Sequence, residues 1–378
     1  MATTVTMRTQ KVTIIGGGIS GITTALTLQS LGLDYSLLEK KEDLNYDEVG
    51  IGLSANIFPI LKHLNVFDKV KLEGVFIEKF HFVNMKGKCL KTFTLKKPAL
   101  SVNRNTFYKI LTDKLDWNKV HLNYLNETDN LDNDGIIVDA SGIHSEIRRK
   151  VYPTIQLRDS KQYLWRGISK IELPEKFKNA YHDYIGSNLR FAIIHTGANS
   201  YSWYLITESI HQKYKKDNSK DDVKRLIESC PKEVQKVVSN SNDIFFSKLL
   251  DIDPKSRKKH PWHIKDTIMI GDAIHPTTPN MANGACLSIE DGFLLGNLIS
   301  QNKSNTEIFA QFERNRKTKV NRVVWQSWLF GKMMHWNSSL MAYLVERFIQ
   351  LTPQFLFNKI YGVVLDEGKL LPTMYKKH

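Results

Sequence analysis

The chain reads as an α/β protein in which a parallel-sheet unit of strand-helix-strand type is interrupted by a mostly antiparallel β-sheet and followed by a C-terminal helical segment. Three observations predict this. The β-branched run Lys11-Val-Thr-Ile-Ile15 ends in glycines, and Ile19 to Leu31 then carries apolar residues at helical spacing. From Trp165 to Leu205, aromatic, β-branched and polar residues alternate as on a half-buried antiparallel sheet. Beyond Asn305 the chain is helical in pattern and rich in Trp325, Trp328, Phe330, Met333, Met334, Trp336, Phe348, Phe355 and Phe357.

The elements follow in order. Gly32 stands where a helix C-cap is expected, and Tyr35 to Leu38 starts a second apolar strand that ends at Glu39. Val75 to Leu95 reads as short strands with a turn at Gly87, and Asn105 to Leu115 returns to helical spacing. Ile136-Ile-Val138 is a buried-strand run, Asp221 to Ser239 a helix, and Thr267-Ile-Met-Ile270 one more short strand followed at once by glycine and aspartate. That last strand is expected to bring the chain back to its first sheet.

At 378 residues the chain is long enough for two structural units. Its 42% hydrophobic and 24% charged residues exclude disorder, collagen-like repetition and a membrane bundle. Cys89, Cys230 and Cys286 are widely spaced without a C-x-x-C pair, which points to neither a disulfide framework nor a zinc site and fits a reducing cytoplasm. The polar Met1 to Gln10 stretch precedes an apolar run too short for a leader, so the mature chain is expected to start here. A formal charge of +14 attracts anions, but the run at Lys255, Arg257, Lys258 and Lys259 lies in no recognisable nucleic-acid module. No nucleic-acid partner is expected.

Gly16-Gly-Gly18-Ile-Ser-Gly21 matches G-x-G-x-x-G between a strand and a helix, the setting in which the motif has a mechanical meaning. Gly16 permits the tight turn, Gly18 lets a pyrophosphate approach the backbone, and Gly21 lets the helix pack on the sheet. The helix start offers N–H donors, and Glu39 stands where an acid accepts from ribose hydroxyls. This predicts a Rossmann-like site for an adenine dinucleotide without separating NAD from FAD.

Gly271-Asp-Ala-Ile-His-Pro-Thr-Thr-Pro-Asn-Met-Ala-Asn-Gly-Ala-Cys-Leu-Ser-Ile-Glu-Asp291 resembles the second flavin signature of the single-component (group A) FAD-dependent aromatic monooxygenases, the para-hydroxybenzoate hydroxylase-like family. Weaker matches fall in family order. Gly50-Ile-Gly52 resembles a loop near the flavin, and Ser101-Val-Asn-Arg104 the segment whose arginine contacts FAD phosphates. Asp139-Ala-Ser141-Gly142, with Ser145 and Arg148 downstream, resembles the middle motif, with serine in place of its usual aspartate. Ala282-Asn-Gly284 likewise stands where the family usually has G-x-G.

The resemblance implies a Rossmann-like FAD-binding domain (1–73, 98–160 and 265–320), an inserted substrate domain (74–97 and 161–264) and a C-terminal helical segment (321–378). It implies FAD held by Gly16, Gly18, Ile19, Ser20, Gly21, Glu39, Lys40, Gly52, Arg104, Ser141, Gly142, Gly271, Asp272, Pro279, Ala282, Asn283 and Gly284. Pro279 is expected against the flavin ring, with Arg190 and Tyr204 as substrate-side groups. NADPH or NADH would reduce the flavin, and O2 would form a C4a-hydroperoxide that hydroxylates an electron-rich aromatic or polycyclic small molecule. A same-fold halogenase, a lipid reductase and a non-enzymatic flavin-binding protein stay open as alternatives. The expected state is a monomer or weak homodimer, with a peripheral membrane contact through the C-terminal segment as a further partner.

Overall fold

The computed structural model describes residues 11–124, 135–208, 220–301, 303–334 and 338–365. Trp336 and the parts of the expected units at 1–10 and 366–378 lie outside the described residues. In chain order the strands are β1 (Lys11–Ile15), β2 (Tyr35–Leu38), β3 (Gly50–Leu53), β4 (Val75–Asn84), β5 (Cys89–Asn103), β6 (Val120–His121) and β7 (Gly135–Asp139). They continue as β8 (Arg158–Lys170), β9 (Ala180–Ile185), β10 (Leu189–Gly197), β11 (Ser200–Glu208), β12 (Phe245–Asp251), β13 (His263–Ile264) and β14 (Thr267–Met269).

These strands build two sheets. The first is six-stranded, in the order β13-β14-β7-β1-β2-β6, and all its pairings except β13 with β14 are parallel. Its central strands are rich in β-branched residues; Val12, Ile14, Ile136, Val138 and Ile268 bury one face fully, and Ile137, Asp139 and Met269 are buried on the other. The strand at Thr267–Met269 does return to this sheet and lies beside β7.

The second sheet is eight-stranded, β12-β8-β11-β10-β9-β4-β5-β3, and antiparallel except where β4 pairs with β9. It also takes in Gly50–Leu53, the end of β5 and the start of β8. Those segments fall in stretches that the sequence reading gave to the dinucleotide unit, so the two units interleave more closely than the expected boundaries. Phe191, Trp203 and Leu205 bury one face against Val223, Val234, Val237 and Val238. The helix expected over Asp221 to Ser239 is two helices, Lys220–Leu226 and Lys232–Ser239, because Pro231 starts the second and cannot continue the first.

The Ile19–Ser30 helix lies between the parallel sheet and the Gly284–Ile299 helix, and its residues from Ile19 to Leu28 are all buried. Two glycines permit that contact: a Cβ on Gly292 would meet the Ser20 carbonyl oxygen at 2.7 Å, and one on Gly296 the Thr27 Cγ2 at 2.7 Å. Asn305–Met334, a 30-residue helix, is tied to the Gly284–Ile299 helix by buried charge. Arg316 donates from Nε to Asp291 Oδ1 at 2.6 Å and from Nη1 to Glu290 Oε2 at 2.5 Å. The other Asp291 oxygen accepts from the Gly271 amide at 2.9 Å and meets His275 Nε2 at 2.5 Å.

Burial works against the charge on Asp291, but His275 and Arg316 outweigh it and hold its carboxyl down at about 2. Since that lies below its ordinary value of 3.8, the stabilisation is complete above that value and is lost as pH falls through about 2. Replacing Arg316 by methionine removes the cation shared by two buried carboxylates, leaving Asp291 with His275 and Glu290 with Lys319, and is expected to cost about 3 kcal/mol in urea unfolding. An unchanged midpoint overturns this reading. Asp291→Asn is expected to flatten the acid limb of stability over the same pH window, read by thermal unfolding as a function of pH.

Candidate active site

The two glycine-bearing turns open onto one cavity of about 540 Å³. At the end of β1, Gly16 has φ +104°, and a Cβ there would meet the Ala140 carbonyl oxygen at 2.5 Å. A Cβ on Gly21 would meet the Gly16 carbonyl oxygen at 1.9 Å, so the helix packs directly on the turn. Gly18 has only Ala140 O, at 4.0 Å, near its missing Cβ and lines the cavity with Ile19 and Ser20. Its neighbour Gly17 donates to Glu39 Oε2 at 2.6 Å, and Lys41 N donates to Glu39 Oε1 at 3.0 Å. Glu39 is thus buried and locks the loop rather than lining the cavity.

The second turn approaches from β14. Gly271, at φ +56°, has room only for a hydrogen, since a Cβ would meet Ser20 Oγ at 2.7 Å. Asp272 then reaches the cavity, and crowding by protein raises its carboxyl pKa against the pull of His275, Arg104 and Arg148. Pro279, Ala282, Asn283 and Gly284 follow on the same wall. Ala282 adopts a left-handed conformation, φ 48° and ψ 33°, at the position where the family usually has glycine. Both polar side-chain atoms of Asn283 are buried without a partner in the protein, although Asn283 faces the cavity.

Gly52, Arg104 and Gly142 complete the predicted residues on the cavity wall. The Arg104 guanidinium lies over the rings of Tyr46 and Tyr108, at 5.2 and 5.5 Å, and Tyr46 donates to the Gly17 carbonyl at 2.6 Å. Lys40 is exposed beyond the end of β2 and does not line the cavity. Nor does Ser141, whose Oγ donates to Asp139 Oδ1 at 2.5 Å while Ser145 Oγ donates to Asp139 Oδ2 at 2.5 Å. Asp139, Ser141 and Ser145 therefore brace this loop behind Gly142, and Arg148 adds bonds to the Ala273 and Ile143 carbonyls at 2.6 Å each.

At the opposite end the strand register decides the face. Tyr204 pairs with Ala192, and Ala192 with Asp183, so these residues share the cavity side of the sheet while Trp203 and Phe191 turn away. Tyr204 lines the cavity and its hydroxyl bonds that of Tyr181. Arg190, expected as a substrate-side group, stands one layer behind. It is fully buried and held in a bidentate pair with Asp183, Nε to Oδ1 at 2.8 Å and Nη2 to Oδ2 at 2.7 Å. Burial opposes its charge, yet Asp183 prevails and holds the guanidinium well above its ordinary pKa.

Sequence reasoning missed Tyr181, Asp183, Asn280 and Arg166. Arg190 Nη2 donates to the Tyr181 hydroxyl at 3.3 Å and Nη1 to Asn280 Oδ1 at 3.4 Å. Arg166 lines the cavity, and its Nε is buried without a partner. The available signal was the alternation Tyr181-x-Asp183 on β9, but a β-strand read alone does not say which face meets a pocket.

An elongated cofactor fits this cavity on three structural grounds: the unobstructed Gly18 backbone, a carboxylate at Asp272, and the two orphaned polar atoms of Asn283 beside the start of a helix. The comparisons agree. The FAD binding domain family matches residues 9–146 and 135–327. The 2-heptyl-3-hydroxy-4(1H)-quinolone synthase of Pseudomonas aeruginosa is 22% identical over 369 residues, covering 90% of this chain and 94% of that protein. The FAD-dependent urate hydroxylase of Klebsiella oxytoca is 23% identical over 347 residues, covering 83% and 88%. Klebsiella pneumoniae HpxO, solved with FAD and uric acid, superposes with a TM-score of 0.83 at 19% identity, covering 96% of this chain and 98% of that one.

The chain belongs to the FAD binding domain family and is a flavoprotein. Within that class it is an NAD(P)H- and FAD-dependent monooxygenase of the single-component aromatic hydroxylase type.

Ala282→Gly is expected to relieve the left-handed strain and raise the unfolding free energy by about 1 kcal/mol, measured by denaturant titration. A lower stability contradicts the strain argument. Gly18→Val is expected to abolish the flavin absorbance of the purified protein, because its side chain would fill the open backbone approach; full retention of flavin sinks that role.

Proposed function

We propose that this chain hydroxylates a neutral, largely apolar aromatic or polycyclic molecule, using NAD(P)H and O2. The observation that carries the substrate class is the Asp183–Arg190 pair. It cancels the guanidinium behind Tyr181 and Tyr204 at the substrate end of the cavity, whose walls include Ile77, Phe80, Leu95, Ile194 and Ile206 beside Arg166. An anionic substrate would gain nothing from the paired Arg190, whereas an apolar one gains about 25 cal/mol for each Å² it buries.

Bound FAD would supply the redox chemistry, accepting hydride from NAD(P)H and activating O2 for transfer to an electron-rich carbon. In this reading Gly18, Ile19, Ser20 and Arg104 would hold the phosphates, Asp272 would accept from the ribityl hydroxyls, and Asn283 and Gly284 would serve the ring end. Pro279, on the same wall, would bound the ring. Gly16, Gly21 and Gly271 shape the turns, and Glu39 and Ser141 stiffen the loops behind them. The division at 1–73, 98–160 and 265–320 against 74–97 and 161–264, with 321–378 apart, is retained as a functional one.

Tyr181 and Tyr204 do the orienting. Burial raises both phenol pKa values, so both stay protonated. With one proton shared between them and Arg190 donating to Tyr181, the pair keeps one O–H to donate to a carbonyl or phenol oxygen of the substrate. The apolar walls exclude water from the reacting centre. We further place the chain in the cytoplasm as a monomer or weak homodimer, in keeping with free Cys89, Cys230 and Cys286.

A panel of neutral alkylated quinolones, polycycles, hydroxybenzoates and urate tests this reading through substrate-stimulated NAD(P)H oxidation, with mass spectrometry for one added oxygen. Neutral apolar compounds are expected to be converted; a preference for carboxylates overturns the proposal. Asp183→Asn uncovers the guanidinium and is expected to raise KM for a neutral substrate about tenfold, equivalent to ~1.4 kcal/mol. An unchanged KM in a folded, yellow variant contradicts the neutral-pocket argument.

A further inference from the structure

The Ser339–Leu351 helix is apolar on both sides. Its inner side packs Val345 and Ile349 with Phe80, Phe93 and Phe357. Its outer side carries Leu340, Tyr343, Leu344, Phe348 and Leu351, continued by Phe355 at the start of the Gln354–Leu365 helix. These side chains are between 48% and 78% exposed. Spacings of three and four residues put them in one stripe, the pattern of a helix that buries a face, yet nothing within the described chain covers it.

Charge chooses the occupant. Arg347 is the one charged residue among the exposed positions of the Ser339–Leu351 helix, and it lies over the Tyr343 ring at 5.8 Å. Lys91 donates to the Gln350 carbonyl at 3.4 Å beside the same helix. Gln354 bonds the Thr94 backbone in both directions, at 3.0 and 3.3 Å, which sets exposed Lys96 and Lys97 of β5 near the end of the stripe. Glu346, the helix's acidic residue, is half-buried. A second copy of the chain would set this basic rim against itself, and each copy carries a formal +14. An anionic lipid surface is complementary in both respects, since it accepts the apolar stripe and attracts its basic border.

We infer that the chain docks the outer face of its Ser339–Leu351 helix on an anionic membrane surface, through Leu340, Leu344, Phe348 and Leu351 with Arg347, Lys91, Lys96 and Lys97 at the headgroups. No helix among the described residues is long and apolar enough to cross a membrane, so the contact is one of adsorption. Phe80 and Leu95 line the cavity and also belong to the layer under this helix. Docking therefore sets the substrate end one side-chain layer from the lipid, where an apolar substrate concentrates. That consequence rests on the hydroxylase reading; the docking does not.

Flotation of the full FAD-loaded chain with vesicles tests it, using phosphatidylcholine alone and phosphatidylcholine mixed with phosphatidylglycerol. Binding to the mixed vesicles is expected to be at least about tenfold tighter and to weaken with added salt. Leu344→Glu combined with Phe348→Glu is expected to lose about tenfold or more of it, with flavin absorbance and thermal midpoint unchanged. Lys96→Glu with Lys97→Glu, which leaves the stripe intact, is expected to remove the preference for the anionic lipid. Absence of binding at low salt overturns the inference, as does a stripe variant that binds like the parent. Light scattering that shows a dimer dissolved by the stripe variant, with no vesicle binding, overturns it in favour of a second copy. Flotation needs no turnover, so a chain that binds vesicles but oxygenates nothing contradicts only the hydroxylase reading.

Discussion

The structure depends on the contact between two turns far apart in sequence. A tight turn after β1 and another after β14 meet at the start of the Ile19–Ser30 helix, where Gly21 rests on Gly16 and Gly271 on Ser20. Backbone packed that closely admits no side chain, so glycine at these positions is a steric requirement rather than a preference. The Gly284–Ile299 helix follows the second turn and lies against the first helix through Gly292 and Gly296. Two helix starts are thereby aimed at one cavity, and an anionic dinucleotide is the ligand such a pair of positive ends favours.

Buried charge holds this arrangement in place. Asp291 links the amide of Gly271, His275 and Arg316 in one cluster, so the cofactor turn, its following helix and the long Asn305–Met334 helix share a single set of bonds. Asp139 does the same for the middle loop through Ser141 and Ser145. Neither cluster touches the reacting space. Their work is to remove freedom from the loops that do, which is what a site for a bound redox group needs from its surroundings.

The substrate end follows a different principle. A guanidinium there does not by itself make an anion receptor, because Asp183 pairs with it on the same strand face. Once paired, Arg190 acts through Tyr181, Tyr204 and Asn280, and the cavity presents phenol hydroxyls on an apolar wall. The C-terminal helices close that wall from outside through Phe357, which stacks on Phe93 at 3.9 Å and reaches Phe80.

By itself the sequence determined the parts governed by local spacing. Strand-turn-helix at Lys11 to Ser30, the returning strand at Thr267 and the glycine motifs are short-range patterns, and they named both cofactor turns and most of the cavity wall around them. Only the tertiary structure decided what depends on register and on partners distant in the chain. Glu39 and Ser141 bond within the loops behind the cavity, Arg190 is neutralised by Asp183, and β3 pairs with β5 in the second sheet. The reason is physical: a strand's alternation offers two equivalent faces, and a charged side chain declares its role only when its partner is in place.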